Sequence, residues 1–156
     1  MRTAFLILAH SQPEHLARLV RMLDTDWATF FVHVDAKIDD RPFRAAVKGG
    51  NVVFLQRRHK VNWGGFNMIK ATLSLLHTAR GSGVPFSRYC LMSGSDFPIK
   101  PVSRIMAELS SDRQFMRVDR KLNFADNNPF CDKVRYYWFC DSSLGLLNRF
   151  AGGGAD

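Results

Sequence analysis

Residues 3–9 read TAFLILA, apolar without alternation, and the turn signal HSQP ends the run at once. A strand wetted on one face would alternate polar and apolar residues. Continuous character requires burial on both faces, the condition met by strands of a parallel sheet covered by helices on either side. The next segment, PEHLARLVRMLD, supports this arrangement. Leu16, Leu19, Val20 and Leu23 recur at helical spacing, Pro13 stands near the first turn, and Glu14 favours the positive end of the helix dipole. TFFVHVD over 29–35 supplies the second strand. Residues 3–35 therefore form a βαβ unit, whose crossover is expected to be right-handed.

The alternation continues. After a polar segment containing Asp39, Asp40 and Pro42, NVVFL (51–55) reads as a third strand entered through the Gly49-Gly50 turn. QRRHKVNWGG leads into a helix from about 66 to 79, with Ile69, Leu73 and Leu76 as its apolar stripe, and GSGVP breaks it. RYCLMSG (88–94) reads as a fourth buried strand, and Val102, Ile105, Met106 and Leu109 repeat the helical stripe. The pattern predicts a doubly wound α/β class with a mostly parallel sheet flanked by helices. It weakens beyond residue 111, where QFMRV and VRYYWF are candidate strands and AGGGAD resembles a frayed end. A chain of 156 residues is expected to form one domain, 1–156.

The formal charge is +8, and residues 1–110 carry fifteen basic against eight acidic side chains, whereas 111–156 carry seven and six. Such a field concentrates anions without choosing among phosphates, nucleic acid and acidic membrane. No signature of an RRM, KH or helix-turn-helix module accompanies it, so a nucleic-acid partner is not expected. Cys90, Cys131 and Cys140 offer neither a disulfide framework nor a CxxC zinc spacing. Cys90 is expected to be buried and reduced, and Cys131 and Cys140 to pair only in an exported chain. The short run 4–9 lacks the length and cleavage site of a signal peptide, and no apolar stretch reaches about 18 residues.

In an open parallel sheet, ligands bind beyond the carboxyl ends of the strands. Ala9-His10-Ser11, Asp35, Trp63-Gly64-Gly65 and Ser93-Gly94-Ser95-Asp96 all fall there. Asp35 suits either hydroxyl or N–H binding or the capping of a turn, and His10 suits either the site or the turn. His33, inside its strand, reads as a satisfied core histidine. The two glycines before the helix at about 66–79 would let backbone N–H groups approach an anion. Arg57, Arg58, His59 and Lys60 read as a solvated loop with some attraction for phosphate. Asp96 is a lone acid at a strand end, presented by the turn that Pro98 fixes.

Four blocks, AFLILAHSQPEHLARLVRML, FFVHVDAK, VNWGGFNMIKATLSLLHTA and RYCLMSGSDFPIKP, in this order and spacing, resemble the core 2/I-branching β-1,6-N-acetylglucosaminyltransferases and the related peptide O-xylosyltransferases of glycosyltransferase family 14. The resemblance covers about residues 3–110, and 111–156 matches only loosely through KVRYYWF. It implies a GT-A-like fold and an inverting transfer of GlcNAc or xylose from UDP-GlcNAc or UDP-xylose to a glycan or protein acceptor. By position, Ala9 and His10 would lie along the uridine, and Asp35 would hold base or ribose. Trp63 and Gly64 would border the nucleotide, Ser95 and Asp96 would face the donor, and Arg135 would stand on the acceptor side. The place two before Asp96, where many sugar-nucleotide enzymes carry a second acid for a divalent metal, is Gly94. The resemblance therefore implies no metal and no cofactor besides the donor, with basic side chains neutralising the diphosphate.

The resemblance also implies that the general base, a glutamate, and the diphosphate-binding Arg and Lys lie past the matched blocks; the glutamates here are Glu14 and Glu108, both in expected helices. A donor-binding portion of a longer catalytic domain is thus the leading expectation, with a non-catalytic UDP-sugar-binding module as the alternative. A cytoplasmic chain with peripheral membrane association is the expected setting, or the Golgi membrane for an animal relative without its anchor.

Overall fold

The computed structural model describes residues 1–49, 51–116 and 140–141. Its elements run β1 (Thr3–Ala9), α1 (Pro13–Leu23), β2 (Ala28–Val34), α2 (Arg41–Ala46), β3 (Val52–Phe54), α3 (Asn67–Arg80), β4 (Arg88–Ser93) and α4 (Val102–Leu109). The four strands form one sheet in the order β3-β2-β1-β4, and every pair is parallel. The chain winds outward from β1 through β2 to β3, then returns to lay β4 on the other side of β1. That reversal puts a switch point between β1 and β4, where the connections leave a crevice at the carboxyl edge.

Both faces of the sheet are covered, as the unbroken run at 3–9 requires. On one face Phe5, Ile7, Phe30 and Val32 pack with Leu16, Leu19, Val20 and Leu23 of α1 and Phe43 of α2, while Val102, Ile105 and Leu109 of α4 close the margin. The rings of Phe5 and Phe30 stack with centroids 5.3 Å apart. On the other face Ala4, Leu6 and Phe31 meet Leu75 and Ala79 of α3.

Several expectations need correction. The polar segment after β2 holds a short helix, α2: Pro42 occupies its first turn, Asp40 and Arg44 pair one turn apart at 2.7 Å, and Phe43 is buried. In α3 the row against the sheet is Ala71, Leu75 and Ala79, and the expected Ile69 and Leu73 are about half exposed. Small residues let the helix axis approach the strands closely, so Ile69 and Leu73 turn outward, while Leu76 stays partly buried against the core. β4 is not buried on both faces: among the described strands it is the edge, α3 lies over β1 and β2, and Tyr89 and Leu91 remain exposed. β3 is shorter than 51–55, although Leu55 N–H still bonds Val32 O at 2.9 Å. Cys90 is partly buried, and burial raises its thiol pKa. Of QFMRV, residues 114–116 carry no strand. Gly50, Cys131, Arg135, VRYYWF and AGGGAD, apart from Cys140 and Asp141 nearby in sequence, lie outside the described residues.

Candidate functional site at the carboxyl edge of the sheet

The turn after β4 begins with a close approach. Gly94 N–H donates to Leu8 O at 2.7 Å, and a Cβ at Gly94 would lie 3.0 Å from Ala9 Cβ and 3.2 Å from Ala9 Cα. A side chain at 94, acidic or otherwise, would be tight against Ala9, which would have to give by a few tenths of an ångström while β4 pairs with β1 in this way. Asp96 then folds back on the turn, its Oδ2 accepting Ser93 N–H at 2.8 Å while its own N–H donates to Ser93 O at 3.0 Å. It does not cap α4, whose first residue follows Pro101 without a side-chain cap. From α1, His15 Nε2 donates to Asp96 O at 3.1 Å, and its ring meets Phe97 at 5.6 Å.

The end of β2 is fastened differently. Asp35 is buried; its N–H donates to Ala9 O at 2.9 Å, and its Oδ1 accepts the N–H groups of Lys37 at 2.9 Å and Val61 at 3.3 Å. Lys37 Nζ stands 3.5 Å from Asp35 Oδ2 and donates to Val61 O at 2.6 Å and Asn62 Oδ1 at 3.2 Å. His33 is a buried histidine with a partner, since its Nε2 accepts His59 N–H at 2.8 Å. That bond places the proton of the neutral ring on Nδ1. Burial, and then the neighbouring His59, hold the His33 pKa below 6.5. The two rings stack at 5.8 Å, and His59 Nε2 reaches Ser74 Oγ of α3 at 3.0 Å. Arg58 donates to the carbonyls of Asp35 and Ile38, so that member of the basic cluster braces the loop.

Beyond this brace, Asn62 Nδ2 donates to Cys140 O at 3.0 Å and to Asp141 Oδ1 at 3.4 Å, and Asn67 N–H donates to Asp141 Oδ2 at 2.5 Å. The start of α3, expected to be open to an anion, thus meets a carboxylate of the chain itself. Gly64 adopts a left-handed φ of 71°, which turns the loop toward α3.

These segments enclose a cleft of about 490 Å³ at the β1/β4 switch point. Ala9, His10, Asp35, Trp63 and Asp96 line it together, while Gly64 and Ser95 adjoin it without lining it; Arg135 lies outside the described residues. Sequence reasoning missed Lys37, Met68 and Leu91 in the lining, and Asp141 behind the Trp63 loop. Lys37 carried a signal, a cation two residues after a strand-end acid, whereas Met68 and Leu91 read as ordinary core and Asp141 has no local cue. The lining is largely apolar with a few directed polar groups, the usual character of a small-molecule site. Among the described residues no group of three or more His, Cys, Asp or Glu side chains is placed to hold a metal ion, and no described helix is long and apolar enough to cross a membrane.

The chain is 27% identical over 111 residues to the mouse and human proteins named beta-1,3-galactosyl-O-glycosyl-glycoprotein beta-1,6-N-acetylglucosaminyltransferase 3, an alignment spanning 68% of this chain and 25% of each relative. It is 25% identical over 113 residues to the pig protein named probable beta-1,3-galactosyl-O-glycosyl-glycoprotein beta-1,6-N-acetylglucosaminyltransferase 7, spanning 69% of this chain and 26% of that protein. The aligned part is about a quarter of the length of these relatives. The family model described as Core-2/I-Branching enzyme matches residues 3–130, from β1 past the Asp96 turn and α4, and the chain belongs to that family.

Proposed function

We propose that this chain carries the donor site of an inverting glycosyltransferase, which binds a UDP-sugar in the cleft at the β1/β4 switch point and passes the sugar to a hydroxyl of a glycan or protein. The observation that carries the reading is the meeting of Ala9, His10, Asp35, Trp63 and Asp96 around one cleft, although they are up to 87 positions apart in sequence. Membership of a family whose named relatives are N-acetylglucosaminyltransferases favours GlcNAc over xylose as the sugar. The fold in this reading is GT-A-like.

In an inverting transfer the acceptor oxygen attacks the anomeric carbon from the side opposite UDP, a base takes the acceptor proton, and the departing diphosphate needs compensation of its charge. Trp63, Met68 and Leu91 offer apolar surface to the base and sugar faces. Asp35 keeps accepting capacity on Oδ2, beside Lys37, and Asp96 is placed to receive a sugar hydroxyl. Both carboxylates are tied to backbone N–H groups, which suits orientation of the donor more than proton transfer. Glu14 and Glu108 do not line the cleft, and in this reading neither is the general base. Gly94, tight against Ala9, in place of a second acid supports a site that works without a paired-acid metal centre, the diphosphate charge being met by Lys37 and by cations elsewhere in the protein. Peripheral contact with a membrane through the basic surface of residues 1–110 fits the same reading.

Calorimetric titration with UDP, in EDTA and then with Mn²⁺, tests it. The expected result is micromolar binding, about −6 to −8 kcal/mol, equal in both buffers, weakened in Asp35→Ala. Absence of binding in both sinks the donor-site reading, and binding only with Mn²⁺ sinks its metal-free form. Sugar released from UDP-GlcNAc in the same samples separates transfer chemistry from a binding module.

A further inference from the structure

We infer that Asp141 is a positioning residue for the cleft: reaching across 74 residues of sequence, it binds the first turn of α3 and holds the Trp63 wall in place. The inference rests on the donor-site reading above for its functional consequence, but the contact itself stands on geometry. The first N–H groups of a helix have no partner within the helix, and α3 has no side-chain cap from its own N-cap residue, Phe66. Asp141 Oδ2 accepts Asn67 N–H there, and a carboxylate at this end also meets the positive pole of the helix dipole. The same two-residue segment receives Asn62 Nδ2 on Cys140 O and Asp141 Oδ1. Asn62 Oδ1 accepts from Lys37 Nζ, which in turn faces Asp35. A polar chain therefore runs from the cleft acid Asp35 through Lys37 and Asn62 to Asp141 and the start of α3.

Trp63 sits between the two anchored ends of this loop. Its side of the cleft is not set by packing of its own ring, because Trp63 is 95% exposed. The loop on either side places it. Gly65 shows the same placement from the other side: a Cβ there would overlap the Asp141 carboxylate, and Gly65 has no left-handed φ that would otherwise require glycine. The space at 65 is filled by Asp141.

Hydrogen exchange and UDP titration on Asp141→Ala, Asp141→Asn and Gly65→Ala test this, with circular dichroism confirming that each variant is folded. Asp141→Ala and Gly65→Ala should each speed exchange of the Asn67 amide by about tenfold, the scale of a lost helix cap, and weaken UDP binding severalfold. Asp141→Asn, whose amide oxygen still accepts from Asn67, should restore most of both. Unchanged Asn67 exchange in Asp141→Ala and Gly65→Ala overturns the contact. Faster exchange with unaltered UDP affinity reduces Asp141 to a plain helix cap and overturns the positioning role. If the wild-type chain fails to bind UDP, the donor-site reading and the positioning role toward it both fall, while the exchange data still decide whether Asp141 holds the loop.

Discussion

Gly94 shows how one missing side chain shapes the site. The β1–β4 pairing continues into the turn through the Gly94 N–H, and a Cβ at 94 would lie only 3.0 Å from Ala9 Cβ. Gly94→Ala must push β4 away from Ala9 or break the 2.7 Å bond to Leu8 O. The cost expected for such overpacking is about 1–3 kcal/mol, read from urea denaturation; a variant as stable as the wild type would show that the turn yields freely. Ala9, the partner in this contact, was legible as a residue at a strand end and, through the resemblance, along the uridine. That its methyl group crowds position 94 follows from the pairing of two strands 79 residues apart, which no local pattern encodes.

At the scale of elements, α3 separates helical period from helical orientation. Its apolar residues form more than one row, and hydrophobic spacing alone favours the bulkier Ile69-Leu73-Leu76 set. The sheet selects Ala71-Leu75-Ala79, because a close approach to β1 and β2 leaves space only for small side chains on both sides of Leu75. Leu75→Ala should therefore cost about 2–5 kcal/mol, whereas Leu73→Glu should change stability by no more than about 0.5 kcal/mol. Thermal or chemical unfolding of the pair decides it, and a reversed order would restore the bulky row as the buried one. α2 was missed for a related reason. Six residues with a single buried anchor, Phe43, are too short to show a period.

For the whole molecule, the histidine pair links three elements: His33 on β2, His59 in the brace, and Ser74 of α3. Burial is the leading cause that lowers both imidazole pKa values from 6.5, followed by mutual repulsion for His33 and by Arg57 for His59. The unfolded chain therefore binds these protons first as pH falls. Stability is fully present above about pH 6.5, declines as pH drops through that value toward the folded-state pKa values, and levels off below them. Asp39 and Asp40 have lowered pKa values as well, so their contribution is lost in a separate window, as pH falls below 3.8. Urea midpoints should fall between about pH 7.5 and 5.5, and His33→Gln should flatten part of the slope. A midpoint that stays level across that range in the wild type would contradict the neutral pair of buried His33 and half-buried His59.

The sequence by itself determined the parallel α/β class, since an apolar run without alternation is soluble only when helices cover both faces. It also determined the edge of the site, since residues that end parallel strands must meet at one side of the sheet. Only the tertiary structure decided which residues of α3 face inward, that β4 is an edge among the described strands, that a side chain at position 94 would be tight against Ala9, and that Asp141 stands at the start of α3. Each of these depends on distances between segments far apart in the chain, which packing sets and local residue pattern does not.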